Sequence, residues 1–227
     1  MKITLGIPCH VKDLPYLSDL LWAYQSAKVK PDEIVVSICG SEGSPIKDRT
    51  TLKIVSHKEV IPHGPNRQIV YQESSGDVVL YQDADDIPHP ERLKYVKECF
   101  SSKDVAVLSH FWIPTAYEFK GVCNVDSMVK VDKLAWFPNN RIEDITGKGG
   151  YGSNYGPVHG GNIAVSREVF SLVRWKDWDE IVSKAEDCEF CFEALFAIDK
   201  SYVLPYPLIK YRKDGVVDSF RKNHPDF

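Results

Sequence analysis

Three carboxylates follow directly on an apolar segment in the stretch VVLYQDADD, residues 78–86. Asp83, Asp85 and Asp86 fall within four consecutive positions, and the fourth residue is Ala84. Burying these carboxylates at a strand end is costly unless a positive charge lies beside them. Mg²⁺ and Mn²⁺ prefer carboxylate oxygens and leave their other coordination positions to water and phosphate. The Asp-x-Asp spacing therefore predicts a metal site that could also hold a diphosphate. An exposed acidic turn is the alternative that the spacing alone leaves open.

A second acidic pair, Glu186 and Asp187, opens the helical pattern EDCEFCFEALFAI. The N-terminal turn of a helix stabilises an ionised carboxylate, and an ionised carboxylate can act as a general base toward a hydroxyl within reach. The pair could also serve only to cap the helix.

The elements that would position these acids alternate along the first 110 residues. Apolar runs typical of buried parallel strands are separated by helical patterns, which predicts a doubly wound, mostly parallel sheet flanked by helices. Ligands of such sheets bind at the carboxyl ends of the strands, where the 83–86 segment should lie. We expect the first strand to end at Pro8, REVFSLV to form a helix, and the prolines of SYVLPYPLIKYR to break a late strand.

Composition restricts the class of protein. The chain has 227 residues, is 43% hydrophobic and carries a formal net charge of −4, as expected for one globular α/β domain. Its basic residues are scattered, so no nucleic-acid partner is expected. No apolar run approaches the roughly 20 residues needed to cross a bilayer, and the six dispersed cysteines suit reduced thiols. These features predict a cytoplasmic protein, either free or peripheral at a membrane surface.

Glycine is concentrated in GKGGYGSNYGPVHGG, residues 147–161, which holds seven glycines. A mobile loop over a site and a plain surface loop are both consistent with this composition. The segment formally matches G-x-G-x-x-G, but no strand precedes it and no helix follows, so a dinucleotide fingerprint is not predicted.

The order of the segments resembles a family 2 glycosyltransferase of the GT-A fold. ITLGIPCHVKDLPYLSDLLWA is similar to that family's first strand and helix, and GPNRQIVYQESSGDVVLYQDADDIPHPERL is similar to its central block. GGNIAVSREVF, AEDCEF and LPYPLIKYRKDGVVDS resemble its acceptor-side segment, its Glu-Asp motif and its closing strand. The resemblance covers residues 3 to about 219. It implies one GT-A domain over 1–227, with a nucleotide-sugar-binding half, 1–110, and a partly antiparallel acceptor-binding half, 111–227.

The resemblance also implies roles for individual residues. Asp83 should face the ribose of a nucleotide-sugar donor, and Asp85 should ligate Mn²⁺ or Mg²⁺ on its diphosphate. Asp86 is either a neighbouring partner or an extra ligand. Pro8 and Cys9 should lie beside the base. The nucleotide-sugar-binding residues implied by the resemblance are Pro8, Cys9, Glu42, Asn66, Arg67, Asp83, Ala84 and Asp85.

The implied reaction is an inverting transfer of a sugar to an acceptor hydroxyl, with Asp187 as the general base and Glu186 beside it. A UDP-sugar is the expected donor, and a glycan, lipid or protein is the expected acceptor. Among the aromatic residues of the second half, Trp136 and Tyr151 are the candidates for acceptor contact.

Two departures from the family pattern bear on these roles. The acidic pair that commonly follows the second strand is replaced by CGSEG, in which Glu42 is the nearest acid. Asp214 stands where the closing motif has a histidine, and it is either a metal ligand or a turn residue. A non-catalytic carbohydrate-binding or scaffolding protein on a degenerate transferase fold is therefore the alternative function. A sugar-phosphate nucleotidyltransferase is not expected, because no glycine-rich basic loop follows the first strand.

Overall fold

The computed structural model describes residues 1–44, 46, 50–131, 159–177, 180 and 186–212, with the backbone alone at 186–188. A mixed sheet runs through these residues in the order β3-β2-β1-β4-β8-β6-β9-β5, with β7 paired to β9. Its strands are β1 (Ile3–His10), β2 (Glu33–Cys39), β3 (Leu52–His57), β4 (Val78–Tyr81), β5 (Ile87–Pro88), β6 (Val107–Pro114), β7 (Val129–Lys130), β8 (Ile163–Ser166) and β9 (Ser201–Tyr211).

The first four strands of this order pair in parallel, as do β6 and β9 further along the sheet. β1 pairs with β2 on one side and with β4 on the other, so the direction of chain progression reverses at β1. Antiparallel pairing begins where β8 joins β4 and β6, and it continues where β5 and β7 join β9. A reversal point of this kind opens a crevice at the carboxyl ends of the neighbouring strands, which is where α/β sheets bind ligands.

Helices cover both faces of the sheet. They are α1 (Leu14–Ser26), α2 (His63–Glu73), α3 (Arg92–Ser102) and α4 (Glu186–Ala197). Pro15 lies in the first turn of α1, where its missing N–H has no helical partner to lose. α2 approaches β1 closely, because a methyl group at Gly6 would lie 2.5 Å from Val70. No helix within the described ranges is long and apolar enough to cross a membrane.

Pro8 does not end the first strand, contrary to our expectation. β1 continues through Pro8 to His10, and Pro8 is paired with Ser37 of β2. The Gly6 carbonyl accepts from Gln82 on the β4 side, so the Pro8 nitrogen two residues later faces the same side. The pairing with β4 has already ended at Tyr81, so no hydrogen bond is lost there.

Two further expectations about the second half were wrong. β9 is continuous over Ser201–Tyr211, because register shifts around Phe111 in the neighbouring β6 accommodate its prolines. The segment 167–173 does not form a helix; its helical part is one 3₁₀ turn, Val169–Ser171. The expected strand–helix order of the first half and the helix beginning at Glu186 are otherwise confirmed.

One fully buried arginine joins the centre of the sheet to the helices. Arg92 Nε donates to His110 Nε2 at 3.0 Å, and its Nη2 donates to the carbonyls of Tyr81 and Gly161, each at 2.8 Å. Its Nη1 donates to Tyr24 Oη and Gln82 Oε1. Every N–H of the guanidinium therefore has an acceptor. Burial and the nearby guanidinium keep the pKa of His110 well below its ordinary value, so its ring is neutral and can accept.

Replacing Arg92 with methionine should lower the free energy of unfolding by about 3 kcal/mol or more, because several buried acceptors lose their donor at once. Denaturant titration measures this loss. Arg174→Met is the matched control, since Arg174 forms an exposed ion pair with Glu180 and its loss should change stability little. Equal midpoints for the two variants would contradict the role assigned to Arg92.

Candidate active site

The acidic segment lies at the carboxyl end of β4, in the crevice beside β1. The Gln82 amide still bonds to Gly6 of β1, and the chain then turns, with the Asp86 amide donating to the Asp83 carbonyl at 3.3 Å. Asp83 and Asp85 are partly exposed at the protein surface, whereas Asp86 is buried with 3% of its surface exposed. The sequence-based placement of these acids at a strand end is therefore correct.

Asp83 is neutralised by a buried arginine. Arg67 Nη2 lies 2.7 Å from Asp83 Oδ1, and the guanidinium lies 5.0 Å from the centre of the Trp175 ring. The indole of Trp175 donates to Tyr81 Oη, which in turn donates to the Arg67 carbonyl. α2 connects two parallel strands and runs antiparallel to them, which brings its first turns, with Arg67, to the carboxyl edge of the sheet.

Two glycines in the turn before β8 allow the backbone to lie on this ion pair. A methyl group at Gly160 would lie 2.6 Å from Arg67 Cζ, and one at Gly161 would lie 2.8 Å from Asp83 Oδ2. His159 precedes them, with its Nδ1 accepting from the Gly161 amide and lying 3.8 Å from Asp83 Oδ2. Sequence reasoning named this segment as glycine-rich but did not connect it with Asp83.

The described side chains compensate only part of the negative charge that Asp85 and Asp86 have when they are ionised. Burial, followed by the charges of Asp83 and Asp13, raises the pKa of Asp85 to about 7. Burial also raises the pKa of Asp86 well above its ordinary value. Arg212 donates through its backbone to Asp86 Oδ1 and through Nε to the Asp85 carbonyl, but within the described ranges no hydrogen bond reaches Asp86 Oδ2.

Asp13 is a fourth acid of the crevice, and the sequence analysis missed it. It ends the 3₁₀ turn Val11–Asp13 directly after β1 and is 8% exposed. Burial raises the pKa of its carboxyl group, and the charge of Asp83 contributes to the rise. The sequence gives no clear signal for it, because a single aspartate before a helix is normally a solvated cap.

The donor set suits a divalent cation in its chemistry. Asp13 Oδ1 and Asp86 Oδ2 are buried oxygens that the described residues leave without a hydrogen bond, and the pKa of Asp85 is raised by burial and by its acidic neighbours. In the part of the chain that is described, however, no group of three acidic, histidine or cysteine side chains is arranged as a ready metal cage. Mg²⁺ and Mn²⁺ sites that share their ion with a diphosphate need only one or two carboxylates, so Asp85 with one neighbour fits that mode.

The other predicted donor residues occupy different environments. Cys9 is a buried thiol whose pKa is raised by burial, and Ala84 packs in the same apolar cluster. Pro8 lies beside Cys9 at the end of β1.

Asn66 is buried and donates to the Ser37 carbonyl, which fixes α2 to β2. The Glu42 side chain is 74% exposed and pairs with Lys58 at 2.6 Å, so it points along the surface in this structure.

Glu186 and Asp187 lie in the first turn of α4, as expected. This helix packs against the Gly160–Asn162 turn and against α2. Phe190 of α4 stacks on Trp175 with ring centres 3.7 Å apart, and Trp175 carries the Arg67 guanidinium on its ring. The predicted base and the predicted donor carboxylates are therefore attached to one packed scaffold.

Three predicted residues, Trp136, Tyr151 and Asp214, lie outside the described residues.

No protein-family model and no curated protein sequence matches the chain, so the similarity that can be stated is structural. The S. aureus TarS fragment 1–349 superposes with a TM-score of 0.65 over 94% of this chain, at 18% identity. Its complex with UDP-GlcNAc gives 0.65 over 95% of the chain at 17% identity. M. tuberculosis glucosyl-3-phosphoglycerate synthase gives 0.58 over 96% at 14% identity.

These similarities establish the fold. The chain spans 61%, 59% and 74% of those three structures respectively, and 37% of a longer TarS structure. The mixed sheet, parallel over its first four strands, has the GT-A-type fold of such glycosyltransferases, as the resemblance implied.

Substituting Gly161 with alanine should both destabilise the protein, by about 1–3 kcal/mol, and weaken any ligand that depends on Asp83. The added methyl group would displace the Asp83 carboxylate from Arg67. Gly43→Ala is the control, because within the described residues no atom lies within 4 Å of the methyl group it would introduce. Unfolding measurements on both variants test the prediction, and a Gly161→Ala protein as stable as Gly43→Ala would contradict it.

The acidic cluster should make the metal-free protein less stable at higher pH. The folded state raises the pKa of Asp85 to about 7 from 3.8, so it binds this proton more tightly than the unfolded chain does. Stability should therefore fall as the pH rises from about 4 to about 7. In chelator at pH 8 we expect Asp85→Asn to melt roughly 3 °C above wild type, with a smaller difference at pH 5.

Thermal melts at both pH values measure this effect, with the exposed Asp126→Asn as control. Mn²⁺ should raise the Tm of wild type more than that of Asp85→Asn. A pH-independent difference between wild type and Asp85→Asn would show that the carboxylate charge is not responsible.

Proposed function

We propose that this protein is a metal-dependent, inverting glycosyltransferase that moves a sugar from a nucleoside-diphosphate sugar to an acceptor hydroxyl. The observation that carries the proposal is the cluster of incompletely compensated carboxylates, Asp85 and Asp86, at the carboxyl end of β4 in a GT-A-type fold. A cation with a bound diphosphate would supply the missing positive charge and occupy the crevice.

Asp85 would hold the cation, with Asp83 as the neighbouring carboxylate and the buried Asp86 next to them. A divalent cation at this place would stabilise the negative charge that develops on the departing diphosphate. The ion pair with Arg67 holds Asp83 in place. Asp214 as a further ligand remains part of the proposal, as do acceptor contacts from Trp136 and Tyr151.

The carboxylate of Asp187 is proposed to take the proton of the acceptor hydroxyl. The hydroxyl oxygen then forms its bond to the anomeric carbon while the bond from that carbon to the diphosphate oxygen breaks on the opposite face. This single displacement inverts the anomeric configuration and releases a nucleoside diphosphate. Placement in the first turn of α4 favours the ionised form that a base requires.

The proposed donor is a UDP-sugar, supported by the TarS fragment, which has been crystallised with UDP and with UDP-GlcNAc. The acceptor is proposed to be a glycan, lipid or protein hydroxyl. Base recognition should differ from the usual family pattern, because Glu42 is engaged with Lys58 at the surface. Pro8 and Cys9, at the end of β1, remain the proposed neighbours of the base.

A non-catalytic carbohydrate-binding or scaffolding protein is the second candidate. It is favoured by the lack, among the described residues, of a preformed three-ligand metal group and by the exposed ion pair of Glu42. Such a protein would retain the fold without cleaving the donor, so hydrolysis of a UDP-sugar in the presence of Mn²⁺ separates the two candidates.

The test combines binding and turnover. Calorimetric titration with UDP, GDP, CDP and ADP, in Mn²⁺ or in chelator, should show metal-dependent binding of one nucleotide by wild type and its loss in Asp85→Ala. Asp187→Asn should bind that nucleotide as wild type does, while slowing cleavage or transfer from its sugar derivative by about 10²-fold or more. Exposed Asp126→Asn is the control for both measurements.

The failures of this test are informative in different ways. Binding without any donor cleavage would favour the non-catalytic candidate. Absence of nucleotide binding with and without Mn²⁺ would remove the basis of the transferase proposal.

A further inference from the structure

Asp13 is a buried acid with no role in the reaction proposed above beyond its charge. The turn Val11–Asp13 is formed as the chain leaves β1, with the His10 side chain accepting from the Lys12 amide. Pro15 then starts α1. This tight exit directs Asp13 inward, so that 8% of its surface is exposed, whereas Lys12 next to it is exposed.

The carboxylate of Asp13 has an oxygen that the described protein does not use. A backbone hydrogen bond from His10 reaches the group, yet within the described ranges no donor reaches Oδ1. Asp83, by contrast, receives the Arg67 guanidinium at 2.7 Å. A buried carboxylate oxygen without a donor is costly, so this oxygen needs a partner, and a ligand in the crevice could supply one.

The position of Asp13 indicates which part of a nucleotide would supply the donor. β1 lies between β2 and β4, so the turn after β1 lies between the end of β2 and the acidic segment after β4. Accordingly, its charge acts on Asp83 and Asp85 on one side and on Cys39 on the other. A nucleoside diphosphate bound through its diphosphate at Asp85 with its base toward β2 would place its ribose between them.

We propose that Asp13 accepts a hydrogen bond from a ribose hydroxyl of the donor nucleotide and thereby selects ribonucleotides over deoxyribonucleotides. This inference rests on the proposed function and adds to it a residue that positions the donor. A ribose hydroxyl is a donor that every ribonucleotide carries, and a hydroxyl–carboxylate bond is charge-assisted. The selectivity should therefore not depend on which base the site prefers.

The test measures the binding of UDP, 2′-deoxy-UDP, 3′-deoxy-UDP and pyrophosphate in Mn²⁺ by calorimetry. Wild type should bind UDP about tenfold or more tightly than one of the deoxy analogues. Asp13→Ala should bind UDP and that analogue almost equally, and Asp13→Asn, which keeps an acceptor without the charge, should be intermediate. Asp19→Asn, on the exposed side of α1, should behave as wild type.

Pyrophosphate lacks a ribose, so its affinity should be the same in wild type and in Asp13→Ala. A full preference for UDP retained in Asp13→Ala, or no preference in wild type, would overturn the inference and leave the transferase proposal intact. Weaker pyrophosphate binding by Asp13→Ala, equal to its loss of UDP, would also overturn it, because Asp13 would then act through the cation.

If wild type prefers another nucleoside diphosphate of the panel, the deoxy analogues of that base replace those of UDP. If wild type binds none of them, the proposed function fails and the inference falls with it. Thermal melts confirm that each variant is folded, and Asp13→Asn, which is almost isosteric, keeps the test usable should the alanine variant unfold.

Discussion

The buried guanidinium of Arg92 is the interaction on which the geometry of the crevice depends. Its donors reach the carbonyls of Tyr81, two residues before Asp83 in the chain, and of Gly161, which lies against the Asp83 side chain. Arg92 also donates to the Gln82 side chain. These bonds fix the end of β4 just before the chain turns into the acidic segment. Because every N–H of this guanidinium goes to a neutral acceptor, Arg92 fixes positions without forming an ion pair, and its charge acts on Asp86 only through space.

The acids of the crevice differ in how far a neighbouring positive charge compensates them. Arg67 neutralises Asp83, whereas Asp85, Asp86 and Asp13 are buried to different extents with less direct compensation. Burial favours the protonated form of each of these carboxyl groups and so raises its pKa. A bound cation would reverse this preference and keep them ionised, at a cost in stability to the metal-free protein. Perturbed acids grouped in this way are more often found in functional sites than in surface ion pairs.

The sequence predicted the order of strands and helices well where apolar runs alternate with helical patterns, and it placed Asp83, Asp85 and Asp86 at a strand end. It failed where long-range pairing decides the outcome. Whether Pro8 ends a strand depends on how far β4 extends beside it, and whether the prolines of β9 break that strand depends on register shifts in β6. The site residues that it missed, Asp13 and Arg92, differ from ordinary surface residues only in their burial. Because burial is a property of the assembled fold, no local pattern marks them.

The scaffold also couples the two halves of the proposed reaction. Inversion requires the base and the departing diphosphate to lie on opposite faces of the anomeric carbon, so their separation has to be fixed within a fraction of an ångström. Trp175 provides such a connection. Its ring lies against the Arg67 guanidinium that holds Asp83, and the same ring stacks on Phe190 of α4. The Gly160–Asn162 turn forms a second connection, since it contacts Asp83 on one side and α4 on the other. α4, with Asp187 in its first turn, is thus packed against the same groups that orient the donor carboxylates, and a change at Trp175 or Gly161 would alter both.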